Sequence, residues 1–151
     1  MSPHVVTISK GAVEDLGAIA ELGKSFATEG KFEFNPEAWV RMWTAILESG
    51  WMGEMLVARR APDQEILGVL GIIFAPSLMT GKLQAQEGCW FVQPEARGCG
   101  LALLKSAEAR ARERGAHTFT MAHLSGLNER LALIYGRRGY QQIETMYALT
   151  L

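Results

Sequence analysis

Val92-Gln93-Pro94-Glu95-Ala96-Arg97-Gly98-Cys99-Gly100-Leu101-Ala102 is the stretch of this 151-residue chain whose residue types and spacing point most directly to chemistry. A β-branched and aromatic run ends at a proline, closely spaced glycines follow, and an Ala/Leu/Arg pattern of helical character begins at once. A strand that passes into a helix in this way leaves the first backbone N–H groups of the helix without intrahelical partners. With the positive end of the helix dipole, those donors form a seat for a phosphate or diphosphate. Glycine at 98 and 100 lets the backbone approach a ligand where a Cβ would obstruct it. The residues imply a nucleotide-like ligand held by the loop.

Two phosphate loops fail against these residues. A Walker A loop, G-x-x-x-x-G-K-[ST], can take Lys105-Ser106 as its last two positions, but Leu104 and Cys99 stand where its glycines belong. A dinucleotide fingerprint, G-x-G-x-x-G, can take Gly98 and Gly100 but meets Leu103 at the third glycine. It also lacks a carboxylate between His117 and Gly126 to bind a ribose. The pattern that fits is [Q/R]-x-x-G-x-[G/A], as Arg97, Gly100 and Ala102. A second block, Asn128-x-x-x-x-x-Ile134-Tyr135-x-x-x-Gly139-Tyr140, follows at a matching spacing. On these two blocks the chain resembles the GNAT superfamily of acetyl-coenzyme A-dependent N-acetyltransferases, firmly over residues 84 to 147 and by element order before that.

The resemblance implies a single N-acetyltransferase domain over 1–151 with a mixed central sheet flanked by helices. Its strands 83–92 and 117–124 would be parallel and splayed, with the pantetheine arm of acetyl-coenzyme A in the gap. Backbone groups around Val92 would bond that arm, and Arg97, Gly98, Cys99, Gly100, Leu101 and Ala102 would hold the diphosphate. Asn128 would contact the cosubstrate, in addition to any role as a helix N-cap. Tyr135, seven residues after Asn128, would protonate the leaving thiolate; a phenol, with a reference pKa of about 10, stands close enough to a thiol's roughly 8.5 to do so. The competing reading of Tyr135 is a core residue sharing a helix face with Leu131.

The residues themselves name two candidates for the general base. Glu87 lies mid-strand in the apolar run Glu87-Gly88-Cys89-Trp90-Phe91-Val92, where partial burial would raise its pKa toward neutrality. Gly88 beside it marks a bulge or a close approach by ligand. His123 is the rival, and a mechanism that needs no base stays open. His117, at the far end of that strand, reads as structural. Cys89 and Cys99 have no His partner at a short spacing, so nothing requires a covalent enzyme intermediate. No Cys/His spacing resembles a metal site, and no metal is expected.

The elements that must position these residues follow from periodicity. Residues 5–8 read as a strand; Val13, Leu16, Ile19, Ala20 and Leu22 recur at helical spacing. Asn35-Pro36-Glu37 starts a helix with a cap, a proline at its first position and a first-turn carboxylate. Trp39, Met42, Trp43 and Ile46 form its core stripe and Gly50 closes it. Strands at 55–60 and 66–74 flank a hairpin turn at 61–65. Strand 83–92, helix 101–114, strand 117–124, helix 128–138 and a closing strand or hairpin at 140–151 complete the order β-α-α-β-β-β-α-β-α-β. The connection Phe26–Phe34 reads either as an acceptor wall, with Phe32 or Phe34 apolar and Glu29 or Glu33 attracting an amine, or as a loop folded onto the core. Arg110, Arg112 and Arg114 read as a solvated helix face.

A net charge of −1, with 48% hydrophobic and 21% charged residues, fits a globular domain and excludes the basic surplus of a nucleic-acid binder. No apolar stretch approaches the roughly 18 residues of a membrane span, and a cytoplasmic location is expected. The function expected is acetyl transfer from acetyl-coenzyme A to a primary amine, on a small molecule or a peptide, by direct attack in a ternary complex. A homodimer is compatible with this. The alternative is a non-catalytic module that binds coenzyme A or a protein on the same fold.

Overall fold

The structure, a computed structural model, describes residues 5–96, 98–124, 126 and 128–151. The chain forms two compact units, Met1–Met121 and Ala122–Leu151. The first holds a five-stranded sheet in the spatial order β1 (Val6–Lys10), β2 (Gly53–Arg60), β3 (Glu65–Pro76), β4 (Leu83–Val92) and β5 (Thr118–Thr120). Strands β1 to β4 are antiparallel neighbours, and β5 runs parallel to β4. Helices α1 (Leu16–Gly30) and α2 (Pro36–Glu48) cover one face; α3 (Gly98–Glu113) covers the other. The mixed α/β architecture expected from the sequence is present.

Local signals act where expected. Asn35 Oδ1 accepts from the Ala38 N–H at 3.0 Å, with Pro36 opening α2. Strand β3 is buried continuously from Leu67 to Ile72 because helices lie on both faces, which explains its unbroken apolar sequence. On the α1/α2 face, Leu16, Ile19, Trp43, Met55, Val57, Val69, Cys89 and Phe91 form one core cluster. The Trp43 indole lies over bare backbone: a Cβ on Gly71 would stand 2.4 Å from it, and one on Gly88 2.6 Å. The Trp/Met stripe of α2 is therefore core at Trp43, while Met42 faces solvent. Phe34 is seated on Gly23, where a Cβ would come within 2.7 Å of its ring, and packs edge-on against Phe91. The 26–34 connection is folded onto the core at Phe34, and Phe32, about a third exposed, leans on Phe26.

On the other face, Arg110 of α3 and Arg114, just past its end, do not form a solvated surface. Arg110 donates to both carboxylate oxygens of Glu54, at 2.6 and 2.7 Å, and Arg114 to one of them at 3.1 Å. Arg114 also lies over the Phe74 ring, 4.1 Å from its centre, and bonds the Trp51 carbonyl. Only Arg112 fits the solvated reading. Sequence periodicity could not reveal this, because the buried partner Glu54 sits on β2.

Strand β5 is shorter than the expected 117–124, and its ladder with β4 covers Gln84–Gln86 against Thr118–Thr120. The reason lies in β4. Ile72 pairs with Glu87 and Gly71 with Cys89, so Gly88 is an extra residue, a β-bulge that bends the strand just past the last parallel pair. In the second unit, α4 spans Arg130–Arg137, and residues 140–151 carry no strand. The alternation of Ile143, Thr145, Tyr147 and Leu149 suits a strand, but a strand needs a ladder, and this unit contains no other strand among its described residues.

Candidate functional site

In the first unit, the end of β4 and the start of α3 bring the loop residues together. The Gln93 N–H donates to the Leu67 carbonyl at 2.8 Å and its side-chain amide to the Ile66 carbonyl at 2.9 Å, tying the strand exit to β3. Pro94–Ala96 then form a single 3-10 turn, closed by the Ala96 N–H on the Gln93 carbonyl. The helix opens at Gly98, three residues earlier than Leu101, so Gly98, Cys99, Gly100 and Leu101 supply its first-turn N–H groups, with Ala102 just beyond. Arg97 lies outside the described residues.

The two glycines differ in a way the sequence could not show. Nothing stands within 4 Å of a Cβ placed on Gly98, and its position faces open space. A Cβ on Gly100 would point inward, 3.5 Å from Val92 Cγ2 and 3.6 Å from Trp90 Cζ2, which is ordinary contact. Neither has the positive φ that demands glycine. The chain's own packing thus leaves room for a side chain at Gly98, on the open side of the turn. Cys99 is buried in the turn and burial pushes its thiol pKa up; at Cys89 burial pushes it to about 12. Neither thiol is a ready nucleophile at neutral pH.

Glu87 is half-buried and opposes Ile72 just before the bulge, on the α3 face of the sheet. The partial burial expected of it is observed. His117 donates its backbone N–H to the Leu83 carbonyl at 2.8 Å, at the sheet end away from the loop, and is exposed.

The second unit orders Tyr135. Its hydroxyl donates to the Ala122 carbonyl at 2.8 Å, and its ring packs tilted against Tyr140 with 5.3 Å between centres. The Gly139-Tyr140 pair closes α4. The Tyr140 N–H returns to the Tyr135 carbonyl at 2.9 Å and the Gly139 N–H to the Gly136 carbonyl at 3.1 Å, with Gly139 at φ 87°. This double closure is a Schellman motif, and its accompanying side-chain contact is the Tyr135–Tyr140 pair. Tyr135 is buried, yet its hydroxyl is oriented by a hydrogen bond rather than lost in hydrocarbon. Asn128 is not the helix cap: it adopts φ 37°, its carbonyl accepts from the Leu131 N–H, and Glu129 precedes the first helical residue. Asparagine tolerates this left-handed conformation better than most residues. His123 is exposed, one residue after Ala122.

Sequence reasoning missed Trp90 beneath Gly100, the Trp43 slot and Glu54. The available signals were the glycines at 71 and 88 and an acidic residue in the apolar run of β2.

The family model described as acetyltransferase (GNAT) family matches residues 21–140, and the chain belongs to that family. Comparison with curated proteins yields no match. Among solved structures, a transcriptional regulator from Bacillus halodurans C-125 superposes with a TM-score of 0.80 at 23% identity, covering 97% of this chain and 100% of that one. A ribosomal-protein-alanine N-acetyltransferase from Brucella melitensis biovar Abortus 2308 gives 0.76 at 21%, covering 98% and 100%. A predicted acetyltransferase with acetyl-CoA from Clostridium acetobutylicum gives 0.76 at 19%, covering 97% and 96%. At these identities the likeness is one of fold. No helix among the described residues is long and apolar enough to cross a membrane.

Proposed function

We propose that residues 1–151 act as one acetyl-coenzyme A-dependent N-acetyltransferase domain, passing the acetyl group to a primary amine of a small molecule or peptide in a ternary complex. The observation that carries this reading is the opening of α3 directly after β4, with first-turn N–H groups at 98–101 and open space at Gly98. Bound acetyl-coenzyme A would supply an activated acetyl thioester. The first turn of α3, Ala102 and Arg97 would hold its diphosphate, main-chain groups at Val92 would bond its pantetheine, and Asn128 would contact it. The Tyr135 hydroxyl carries a proton on a directed hydrogen bond and would give it to the departing sulfur. Glu87, His123 or solvent would take the proton from the amine. The raised thiol pKa at Cys89 and Cys99 supports direct attack over an acyl-enzyme.

Calorimetry with coenzyme A and a thiol-release assay over a panel of amines test the reading. Gly98→Asp is the clean variant, because its side chain enters open space and brings negative charge to the anion seat; at Gly100 an aspartate would instead meet the Trp90 indole. Coenzyme A affinity should fall on the order of tenfold or more in folded Gly98→Asp. Unchanged affinity refutes the loop assignment, and wild-type binding without release over the panel favours the non-catalytic module.

A further inference from the structure

The first turn of α3 has to be held at a fixed height and angle if its N–H groups are to converge on an anion, because small misplacements of a binding group are costly. Its C-terminal half is anchored by Arg110, with Arg114 just beyond the helix, on buried Glu54. Its N-terminal half rests on β4 and β3: Gly100 faces Trp90 and Val92, and Leu103 fits against Gly68, where a Cβ would come within 3.1 Å. Gly100 bears no side chain, and a Cβ there would meet the indole at ordinary contact distance, 3.6 Å, so Trp90 lies one methyl's width beneath the helix backbone.

Trp90 reaches that place because of the bulge. Strand alternation continued from Ala85 and Glu87 would send Cys89 and Phe91 to the α3 face. The extra residue Gly88 reverses the alternation, placing Cys89 and Phe91 in the α1/α2 core and Trp90 and Val92, opposite Leu70 and Gly68, under α3. We infer that Trp90 is a positioning residue that sets the aim of the α3 first-turn N–H groups at the cosubstrate's diphosphate. This rests on the acetyl-coenzyme A reading above. Since Glu54 holds the other half of α3, loss of the indole loosens the first turn without releasing the helix.

The test compares wild type, Trp90→Leu and Trp90→Phe, with Val69→Ala as a control that trims the core on the opposite face. Coenzyme A affinity by calorimetry, KM for acetyl-coenzyme A, kcat and Tm are measured for each. Trp90→Leu should weaken coenzyme A binding and raise KM on the order of tenfold, and Trp90→Phe about threefold, with kcat held within about twofold. Val69→Ala should lower Tm and leave affinity unchanged. Unaltered affinity in Trp90→Leu overturns the proposal; should that variant not fold, unaltered affinity in Trp90→Phe does so. An equal loss of affinity in Val69→Ala also overturns it, by showing a general effect of stability. Wild-type protein that binds no coenzyme A overturns the reading of the site, and this inference with it, whereas wild-type binding with an unmoved Trp90 series overturns the positioning role alone.

Discussion

Gly88→Ala strikes the residue where both faces of β4 are decided. Its new methyl would stand 2.6 Å from Trp43 Cζ2, 2.9 Å from Cη2 and 3.0 Å from Ile73 Cγ1. Carbon atoms pack comfortably at about 3.5–4.0 Å, so the indole must retreat by roughly 1 Å. It cannot slide toward β3, because it already lies against the bare backbone of Gly71, whose empty Cβ position is 2.4 Å from Cη2 and 2.7 Å from Cζ2. Trp43 is only 4% exposed, so the retreat compresses its neighbours. Overpacking of this kind costs about 1–3 kcal/mol. For a chain of this size that lowers Tm by roughly 3–10 °C. Trp43→Phe shortens the ring at the crowded edge and should relieve much of the strain. In that background Gly88→Ala should cost under about 1 kcal/mol, a coupling of about 1–2 kcal/mol between the two sites. Urea denaturation of wild type, both single variants and the double variant measures this cycle. Additive costs, or a Gly88→Ala variant as stable as wild type, would refute the claim that Trp43 and the bulge lock each other.

Tyr135→Phe removes the hydroxyl and its bond to Ala122; kcat should fall about tenfold or more with little change in KM for acetyl-coenzyme A, at a stability cost of about 1 kcal/mol. Wild-type kcat in that variant would return Tyr135 to a packing role. The Arg110 hydrogen bonds hold the Glu54 carboxyl below the ordinary glutamate value of 4.5, against the upward push of burial. Because the folded value is the lower one, this stabilisation is complete above the unfolded pKa and is lost as pH falls through the folded value. Glu54→Gln should therefore unfold about 2 kcal/mol more easily at pH 7, with the difference from wild type narrowing in acid; parallel stability curves across pH would contradict this. For the base, Glu87→Gln should lower kcat/KM and shift the alkaline-rising limb of the rate profile if Glu87 takes the proton, and His123→Ala should do so if His123 does. A limb that stays in place in both variants and tracks the pKa across a series of amines would assign attack by the neutral amine and remove Glu87 from the reaction.

Features that depend on neighbours in sequence were legible from the residues alone. The Asn35-Pro36 start of α2, the passage from β4 into α3 and the closure of α4 at Gly139 are each decided within a few residues, by caps, backbone conformation and orphan N–H groups. The family blocks belong to the same class, since both are short stretches around such passages. Only the tertiary structure decided which side chains of β4 look toward α3, because a bulge of one residue reverses every later position, and what holds this bulge is an indole contributed by α2. It also decided that Arg110 and Arg114 serve a buried carboxylate rather than water, and that Gly100 faces an indole while Gly98 opens outward. Residues 140–151 show the same limit from the other side: their alternation is a sound local signal, but a strand exists only where a second backbone offers it hydrogen bonds, and that partner is not encoded in the segment itself.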